Sequence, residues 1–156
     1  MPERLSTGHA NTVCAAVRTA YANGVIGIFG GASQPVDADS IETGTLLCLV
    51  TLASGAFVAG QAANGLGLDA PVAGVLSKAV AETWSGNGLA AAGTGTVATY
   101  FRFYANDYTT GASTTAKRFD GLISTSATAE LQMTNTTVVQ NVPVVINTFT
   151  YTPPRA

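Results

Sequence analysis

The stretch Thr96-Val-Ala-Thr-Tyr-Phe-Arg-Phe-Tyr104 is the clearest β-strand in the sequence. Successive side chains of a strand point to opposite faces of a sheet, so Phe101 and Phe103 share one face while Arg102 lies on the other. One apolar face and one mixed face are typical of antiparallel sheets that bury a single side. The stretch therefore predicts a sheet whose apolar face carries Phe101 and Phe103.

Outward from this stretch, short runs rich in β-branched and aromatic residues alternate with clusters of Gly, Asn, Asp, Ser and Pro, as in all-β proteins. In the C-terminal run, Val145, Phe149 and Tyr151 are predicted to share one face, with Ile146 on the other. The predicted strands are 25–29, 45–52, 74–80, 96–104, 118–124, 129–133 and 144–152. This number of strands favours a mainly β fold, a jelly-roll-like β-sandwich.

One helix is predicted before the first strand. Ser6 or Thr7 can cap its N-terminus, and Asn23-Gly24 can end it. Its apolar residues recur every four positions along one side: Val13, Val17 and Tyr21. Such a helix packs either on the sheet of its own domain or, as an arm, on a neighbouring subunit.

The chain of 156 residues has the size of one ordinary domain. A domain of this length buries roughly two-thirds of the surface that its unfolded chain exposes, so no staple is needed for folding. We expect an N-terminal arm and helix over 1–24, a β-sandwich domain over 25–152 and an extended tail over 153–156. The tail contains two prolines, which cannot continue a hydrogen-bonded ladder.

The composition favours a structural or assembly protein over an enzyme. Charged residues make up only 10% of the chain and there is one histidine, whereas catalysis needs titratable groups brought together. The apolar fraction of 47% exceeds what a solvated monomer needs, so part of the apolar surface is expected to meet a partner. A net charge of -2 with dispersed Lys and Arg disfavours nucleic-acid binding.

The segment 43–68 has no charged residue, which makes it a candidate membrane span. Thr51, Ser54 and Gly60 interrupt it, so it falls short of the ~20 mainly apolar residues that a spanning helix needs. The N-terminus also lacks the apolar core of a signal peptide. We expect no membrane partner and synthesis in the cytoplasm.

Enzymatic and metal sites find little support in the sequence. A hydrolase would have to use His9, but no Gly-x-Ser-x-Gly motif supplies a nucleophile. Cys14 and Cys48 match no zinc-binding spacing with that histidine, and they are expected to be buried core thiols, with a disulfide as the alternative. The sequence predicts no catalytic, cofactor-binding or metal-ligating residue and no cofactor.

Two further features have alternative interpretations. The acidic loop from Asp37 to Glu42 offers oxygen ligands for Ca²⁺, but its spacing is not that of an EF-hand, so solvated carboxylates are expected. Trp84, followed by Ser85-Gly-Asn-Gly88, could stack on a sugar in a carbohydrate-binding module. A single Trp in a sandwich is more often a core or interface anchor.

Several sequence patterns occur in a recognisable order along the chain: Arg4-Leu-Ser-Thr-Gly8, Glu42-Thr-Gly-Thr-Leu-Leu47, Gly74-Val-Leu-Ser-Lys78, Glu82-Thr-Trp-Ser-Gly86, Tyr100-Phe-Arg-Phe-Tyr104 and Thr110-Gly-Ala-Ser-Thr-Thr115. Taken together, the chain resembles the small β-rich proteins encoded in the structural-gene clusters of tailed bacteriophages and prophages. The resemblance implies a component of the virion that is assembled in the cytoplasm of the bacterial host.

Within that class, the expected function is a capsid decoration or cement protein, bound to the major capsid protein. The alternatives are a tail, collar or fibre-adaptor subunit of the virion and, from other classes, a carbohydrate-binding module or a hydrolase. A homo-oligomer, dimer or trimer, is expected. The predicted interface residues lie on the helix and on two loops: His9, Arg18, Gln34, Asp37, Asp39, Glu42, Asn106, Tyr108 and Thr110.

Overall fold

The computed structural model describes residues 4–153. Its elements in chain order are α1 (Thr7–Ala20), β1 (Val25–Gly30), β2 (Thr45–Leu52), β3 (Leu76–Ser77), β4 (Trp84–Asn87), a short 3-10 helix (Ala90–Ala92), β5 (Thr96–Tyr104), β6 (Arg118–Ser124), β7 (Leu131–Met133), β8 (Thr137–Val138) and β9 (Pro143–Tyr151). The mainly β fold with an N-terminal helix is therefore confirmed. Of the predicted tail over 153–156, only Pro153 is described, and it is buried.

Seven strands form a closed barrel in the order β1-β2-β4-β9-β7-β6-β5, and β5 pairs back with β1. Among the described strands of this ring, β6 and β7 run parallel and the other neighbours run antiparallel. The short strands β3 and β8 lie outside the ring and pair with β9 and β5.

The barrel corrects the predicted β-sandwich. Strand β1 bonds to β2 on one side and to β5 on the other, so the sheet closes on itself instead of forming two sheets with separate edges. The alternation of side chains is the same in both architectures, because it sets which face of a strand is buried and not which strands are neighbours.

Several predicted strands are found with their expected bounds, including Thr45–Leu52, Thr96–Tyr104 and Arg118–Ser124. The strand predicted over 74–80 is reduced to Leu76–Ser77. Strand β4 was not predicted, because its sequence Trp-Ser-Gly-Asn is rich in residues that usually form turns. The two-residue strand β8 was missed as well.

A bulge in β9 changes which of its side chains face the core. Gln132 pairs with Thr148 and Met133 pairs with Ile146, so Asn147 is left without an opposite residue. The pattern therefore shifts by one residue, and Ile146 and Phe149 are both buried. The predicted face that joined Val145 to Phe149 is wrong, since Val145 is exposed.

Aromatic rings from several strands fill the barrel. Phe103 has its ring centroid 5.9 Å from that of Trp84 and 5.6 Å from that of Phe149, both in edge-on orientations. Phe101 packs against Phe149 at 5.9 Å, and the residue opposite it on β6 is Gly121. A side chain on Gly121 would meet the Phe101 ring, so this glycine makes room for it.

The helix α1 packs on its own barrel, which was the first of the two alternatives. Ser6 caps it, because its hydroxyl oxygen accepts a hydrogen bond from the backbone N–H of His9 at 3.2 Å. Cys14 and Tyr21 belong to the barrel core, and the Tyr21 ring lies 4.9 Å from that of Phe119. The helix thus covers the end of the barrel at which β1 begins.

Candidate interaction surface

Arg102 points outward from β5, between the core residues Phe101 and Phe103, yet its side chain is completely buried. It lies opposite Asp120 on β6. The carboxylate of Asp120 accepts hydrogen bonds from Arg102 Nε at 2.5 Å and Nη2 at 2.8 Å. Because a guanidinium and a carboxylate match in planar geometry, the two bonds fix both side chains and direct Arg102 Nη1 toward the loop above the sheet.

That loop is 31–44, which joins β1 to β2 and folds back over the outer face of β5. Oε1 of Glu42 accepts hydrogen bonds from Arg102 Nη1 at 3.0 Å and from the Tyr104 hydroxyl at 2.8 Å. Oε2 of Glu42 accepts one from the backbone N–H of Gly111, in the loop 105–117, at 2.9 Å. One carboxylate therefore connects the barrel wall to both loops.

The pKa values of the connected groups follow from these contacts. Burial alone would raise the pKa of Glu42, but hydrogen bonds from backbone N–H groups, Tyr104 and Arg102 outweigh it and lower this pKa. The pKa of Tyr104 is raised, first by burial and then by the hydrogen bond to the negatively charged Glu42. Glu42 is therefore held ionised and Tyr104 protonated.

Arg118, at the start of β6, binds the backbone of both loops. Its guanidinium donates to the carbonyl oxygens of Ala38 at 2.7 Å, Asp39 at 3.0 Å and Thr109 at 3.3 Å. Its Nη1 also lies 3.5 Å from Glu42 Oε1. We call Arg102, Arg118, Glu42 and Asp120 the arginine clamp.

Tyrosines extend the arginine clamp along the outer face of β5. The hydroxyl of Tyr100 donates to the carbonyl oxygen of Thr43 at 2.7 Å. The ring of Tyr108 lies 5.0 Å from that of Tyr104 and 6.0 Å from that of Phe57, both edge-on. The outer face of β5 is thus covered by loop residues from Tyr100 onward, which explains why both faces of the strand are buried over 100–104.

The two loops form one continuous surface. The backbone N–H of Ser113 in one loop donates to the carbonyl oxygen of Asp39 in the other at 2.9 Å. Two exposed side chains of this surface are aliphatic: Val36 is 99% exposed and Ile41 is 62% exposed. We call residues 31–44 and 105–117 the loop surface.

The structure brings together seven of the nine predicted interface residues, all on the loop surface. Four of them have exposed side chains: Gln34, Asp37, Asp39 and Thr110. Glu42 lies inside the arginine clamp and Tyr108 is partly buried. In the amide orientation that satisfies both its oxygen and its nitrogen, Asn106 donates to the carbonyl oxygens of Gln61 and Asn23, at 3.0 and 3.1 Å, and anchors its loop.

The other two predicted residues lie apart from the loop surface, on α1. His9 is exposed in the first turn of the helix. Arg18 donates from Nε to the carbonyl oxygen of Leu68 at 2.7 Å, so it holds a neighbouring segment in place. No contact between these side chains and the loop surface is found within the described part of the chain.

The residues that organise the site, Arg102, Arg118 and Asp120, were not predicted from the sequence. A signal was present, because an arginine between two phenylalanines must find a carboxylate if its face of the strand is covered. The carboxylates of Asp37–Glu42 were expected to be solvated, and Arg102 was predicted only to lie on a mixed face.

The structure also bears on the alternative sites. Trp84 is completely buried, and its indole N–H donates to Glu82 Oε2 at 2.8 Å, so the ring has no face for a sugar. Cys14 and Cys48 are buried thiols, and burial raises the pKa of Cys48 to about 12.

Over residues 4–153, no group of three or more His, Cys, Asp or Glu side chains is arranged to hold a metal ion. Likewise, none of the helices in that range is long and apolar enough to cross a membrane.

Comparison with protein-family models, with curated proteins and with solved structures gives no match to this chain. The class of this protein is therefore defined by its fold and its site alone. It is a closed β-barrel protein whose wall carries two loops fixed by a buried ion-pair network.

Proposed function

We propose that this protein is a structural component of a bacteriophage virion and acts as a capsid decoration protein, which binds and stabilises the lattice of the major capsid protein. The virion context rests on the resemblance of the sequence patterns. The binding role rests on one observation, the arginine clamp, which holds two loops together with Val36 and Ile41 exposed on them.

A fixed loop surface favours binding over catalysis. Loops that are already ordered lose less conformational entropy when a partner binds, so more of the contact energy contributes to affinity. The buried charged groups of the arginine clamp bind one another and loop backbone rather than facing a cavity. Repeated over a symmetric shell, many modest contacts of this kind give strong overall attachment.

The exposed side chains of the loop surface suit a protein partner. Two aliphatic residues, Val36 and Ile41, lie beside the exposed carboxylates of Asp37 and Asp39. An apolar centre with a polar rim is the usual arrangement of a protein interface. On this proposal, Val36 and Ile41 contact the major capsid protein and the carboxylates remain at the rim.

The first experiment measures the copy number of the protein in purified virions by quantitative mass spectrometry, against the major capsid protein and the portal protein. A copy number comparable with that of the major capsid protein supports decoration. A number near that of the portal overturns decoration in favour of a collar or tail subunit, and absence from the particles overturns the virion role.

A second experiment tests the loop surface directly. Val36→Asp and Ile41→Asp should weaken binding to capsids that lack the protein by about tenfold or more, because each places a charge at the contact. Val72→Asp is the matched control, since Val72 is 73% exposed and lies outside the loop surface. Equal binding by all three variants would show that the partner contacts another face.

A further inference from the structure

The loop 31–44 covers the outer face of β5 without contributing to the hydrophobic core. None of its residues, all of which are described, belongs to that core, and its two large aliphatic side chains, Val36 and Ile41, are exposed. Pro35 is its one buried residue. A segment with few buried apolar contacts can open locally while the rest of the fold persists. We call residues 31–44 the strap.

Polar contacts hold the strap on the barrel wall. Oε1 of Glu42 lies 3.0 Å from Arg102 Nη1 and 3.5 Å from Arg118 Nη1. Near the end of the strap, the backbone N–H of Thr43 donates to the Tyr100 hydroxyl at 3.0 Å. The two guanidinium groups also donate to three carbonyl oxygens of the strap, those of Ala38, Asp39 and Ser40. Attachment of the strap therefore depends on the positions of the two arginines.

The charges of the arginine clamp are balanced. Two cations, Arg102 and Arg118, face two carboxylates, Glu42 and Asp120, and the four side chains are between 0% and 12% exposed. Asp120 binds Arg102 through two hydrogen bonds, whereas Arg118 forms its ion pair with Glu42. If Glu42 were neutral, two buried cations would share one carboxylate. A buried charge without a counter-charge is strongly unfavourable, so Arg118 would turn toward solvent.

We propose that the strap is an acid-sensitive element, which is released from β5 as a unit when Glu42 takes up a proton, while the barrel remains folded. Protonation removes the charge that retains Arg118, and Arg118 holds the carbonyl oxygens of Ala38 and Asp39. The backbone N–H of Ser113 donates to the same carbonyl of Asp39. Release of the strap therefore also loosens the part of the loop 105–117 that rests on it.

The groups around Glu42 set the pH range of the release. Burial raises the pKa of Glu42, but hydrogen bonds from backbone N–H groups, Tyr104 and Arg102 outweigh burial and lower it. Burial raises the pKa of Tyr104 and of Tyr108, so both phenols stay neutral while Glu42 titrates. The strap is therefore held at neutral pH and released in acid, below the ordinary pKa of 4.5.

Other charged groups lie on the elements that pack against Glu42. On β6, Arg118 favours the ionised form of Glu42, and Asp120 is bound to Arg102. The remaining charged side chains of the strap and of the loop 105–117 are exposed: Asp37, Asp39, Asp107 and Lys117. Water screens exposed charges, so the buried contacts of Glu42 dominate its titration.

The release has a consequence for the loop surface. The strap carries Val36 and Ile41, the side chains that are proposed to contact the capsid. Their fixed arrangement is lost when the strap opens, so the protein is expected to leave the capsid in acid. This consequence rests on the proposed function, whereas the release of the strap does not. The isolated protein is therefore the right material for the test.

Hydrogen–deuterium exchange of the isolated protein, resolved by NMR, tests the release. Glu42→Gln removes the charge at neutral pH and should lower the protection of the amides of Thr43 and Ser113 by about tenfold or more. The amides of Phe101 and Phe103, in the barrel wall, should remain protected. Asp39→Asn is the matched control, because it removes the same charge from an exposed position of the strap and should leave all four amides protected.

A second measurement on the wild type serves in case Glu42→Gln does not fold. Between about pH 7 and about pH 3, after correction for intrinsic exchange rates, protection should be lost at Thr43 and Ser113 and retained at Phe101 and Phe103. The proposal is overturned if the loop amides stay protected in acid, or if they and the β5 amides lose protection together. These measurements need no capsid, so their failure is distinct from a failure of capsid binding.

Discussion

Arg102 and Asp120 face each other directly across β5 and β6 and are joined by two hydrogen bonds on the outer side of the barrel. Their side chains are 0% and 2% exposed, although the outer face of a barrel is normally solvated. The loops 31–44 and 105–117 shield the pair, and the pair in turn fixes the loops. The stability of the fold and the arrangement of the loop surface therefore depend on the same ion pair.

Asp120→Ala should destabilise the protein by about 3 kcal/mol, because it leaves Arg102 buried without its closest carboxylate. Urea unfolding followed by circular dichroism measures the change. Asp39→Ala removes an exposed carboxylate from the same surface and should change stability by less than about 0.5 kcal/mol. Equal effects of the two substitutions would mean that the arginine clamp does not stabilise the fold.

The stability of the protein should fall in acid, partly through Glu42. Its folded-state pKa lies below the ordinary value of 4.5, so its ionised form contributes stability above that pH. The contribution is lost as the pH falls through the lowered folded-state pKa. Comparing urea unfolding at about pH 7 and about pH 3, Glu42→Gln should show a smaller loss than the wild type. An unchanged loss would contradict this role.

Gly121→Ala should destabilise the barrel by about 1 to 3 kcal/mol, because overfilling a packed core forces rings to move. A methyl group there would lie 2.5 Å from Cε1 of Phe101. Gly8→Ala, in the first turn of α1, meets nothing within 4 Å and serves as the control. Thermal unfolding should show a lower Tm only for Gly121→Ala.

The thiol of Cys48 should resist modification in the folded protein. Burial raises its pKa to about 12, so almost no reactive thiolate exists at neutral pH, and the sulfur is also inaccessible. Mass spectrometry after maleimide treatment should find Cys48 unlabelled in buffer and fully labelled in denaturant. Rapid labelling of the native protein would show that this part of the core opens.

The sequence was most informative where a strand has a simple alternation. In the segment 100–104 of β5 the residues that contact the core alternate, and the period alone identifies Phe101 and Phe103 as core residues. In β9, by contrast, the bulge at Asn147 depends on pairing with β7. A bulge that is set by pairing with a neighbouring strand cannot be predicted from the alternation of residues within the strand itself.

The same distinction applies to the candidate site. The sequence indicated that two loops carry the predicted interface residues, but it did not reveal the arginine clamp. Glu42 and Arg118 are separated by 76 positions in the chain and meet only when the loops fold over β5. Closure of the barrel could not be predicted for a similar reason, since it depends on the pairing of β1 with β5 as its second neighbour.

The parallel pairing of β6 with β7 is related to the odd number of strands in the barrel. Strands that alternate up and down around a closed ring return to their starting direction only if their number is even, so a ring of seven must contain a place where the alternation fails. Here the failure falls between β6 and β7, where only two residue pairs, Ile123 with Leu131 and Ser124 with Gln132, join the strands. Parity thus requires a parallel junction in this barrel, and β6 and β7 supply it.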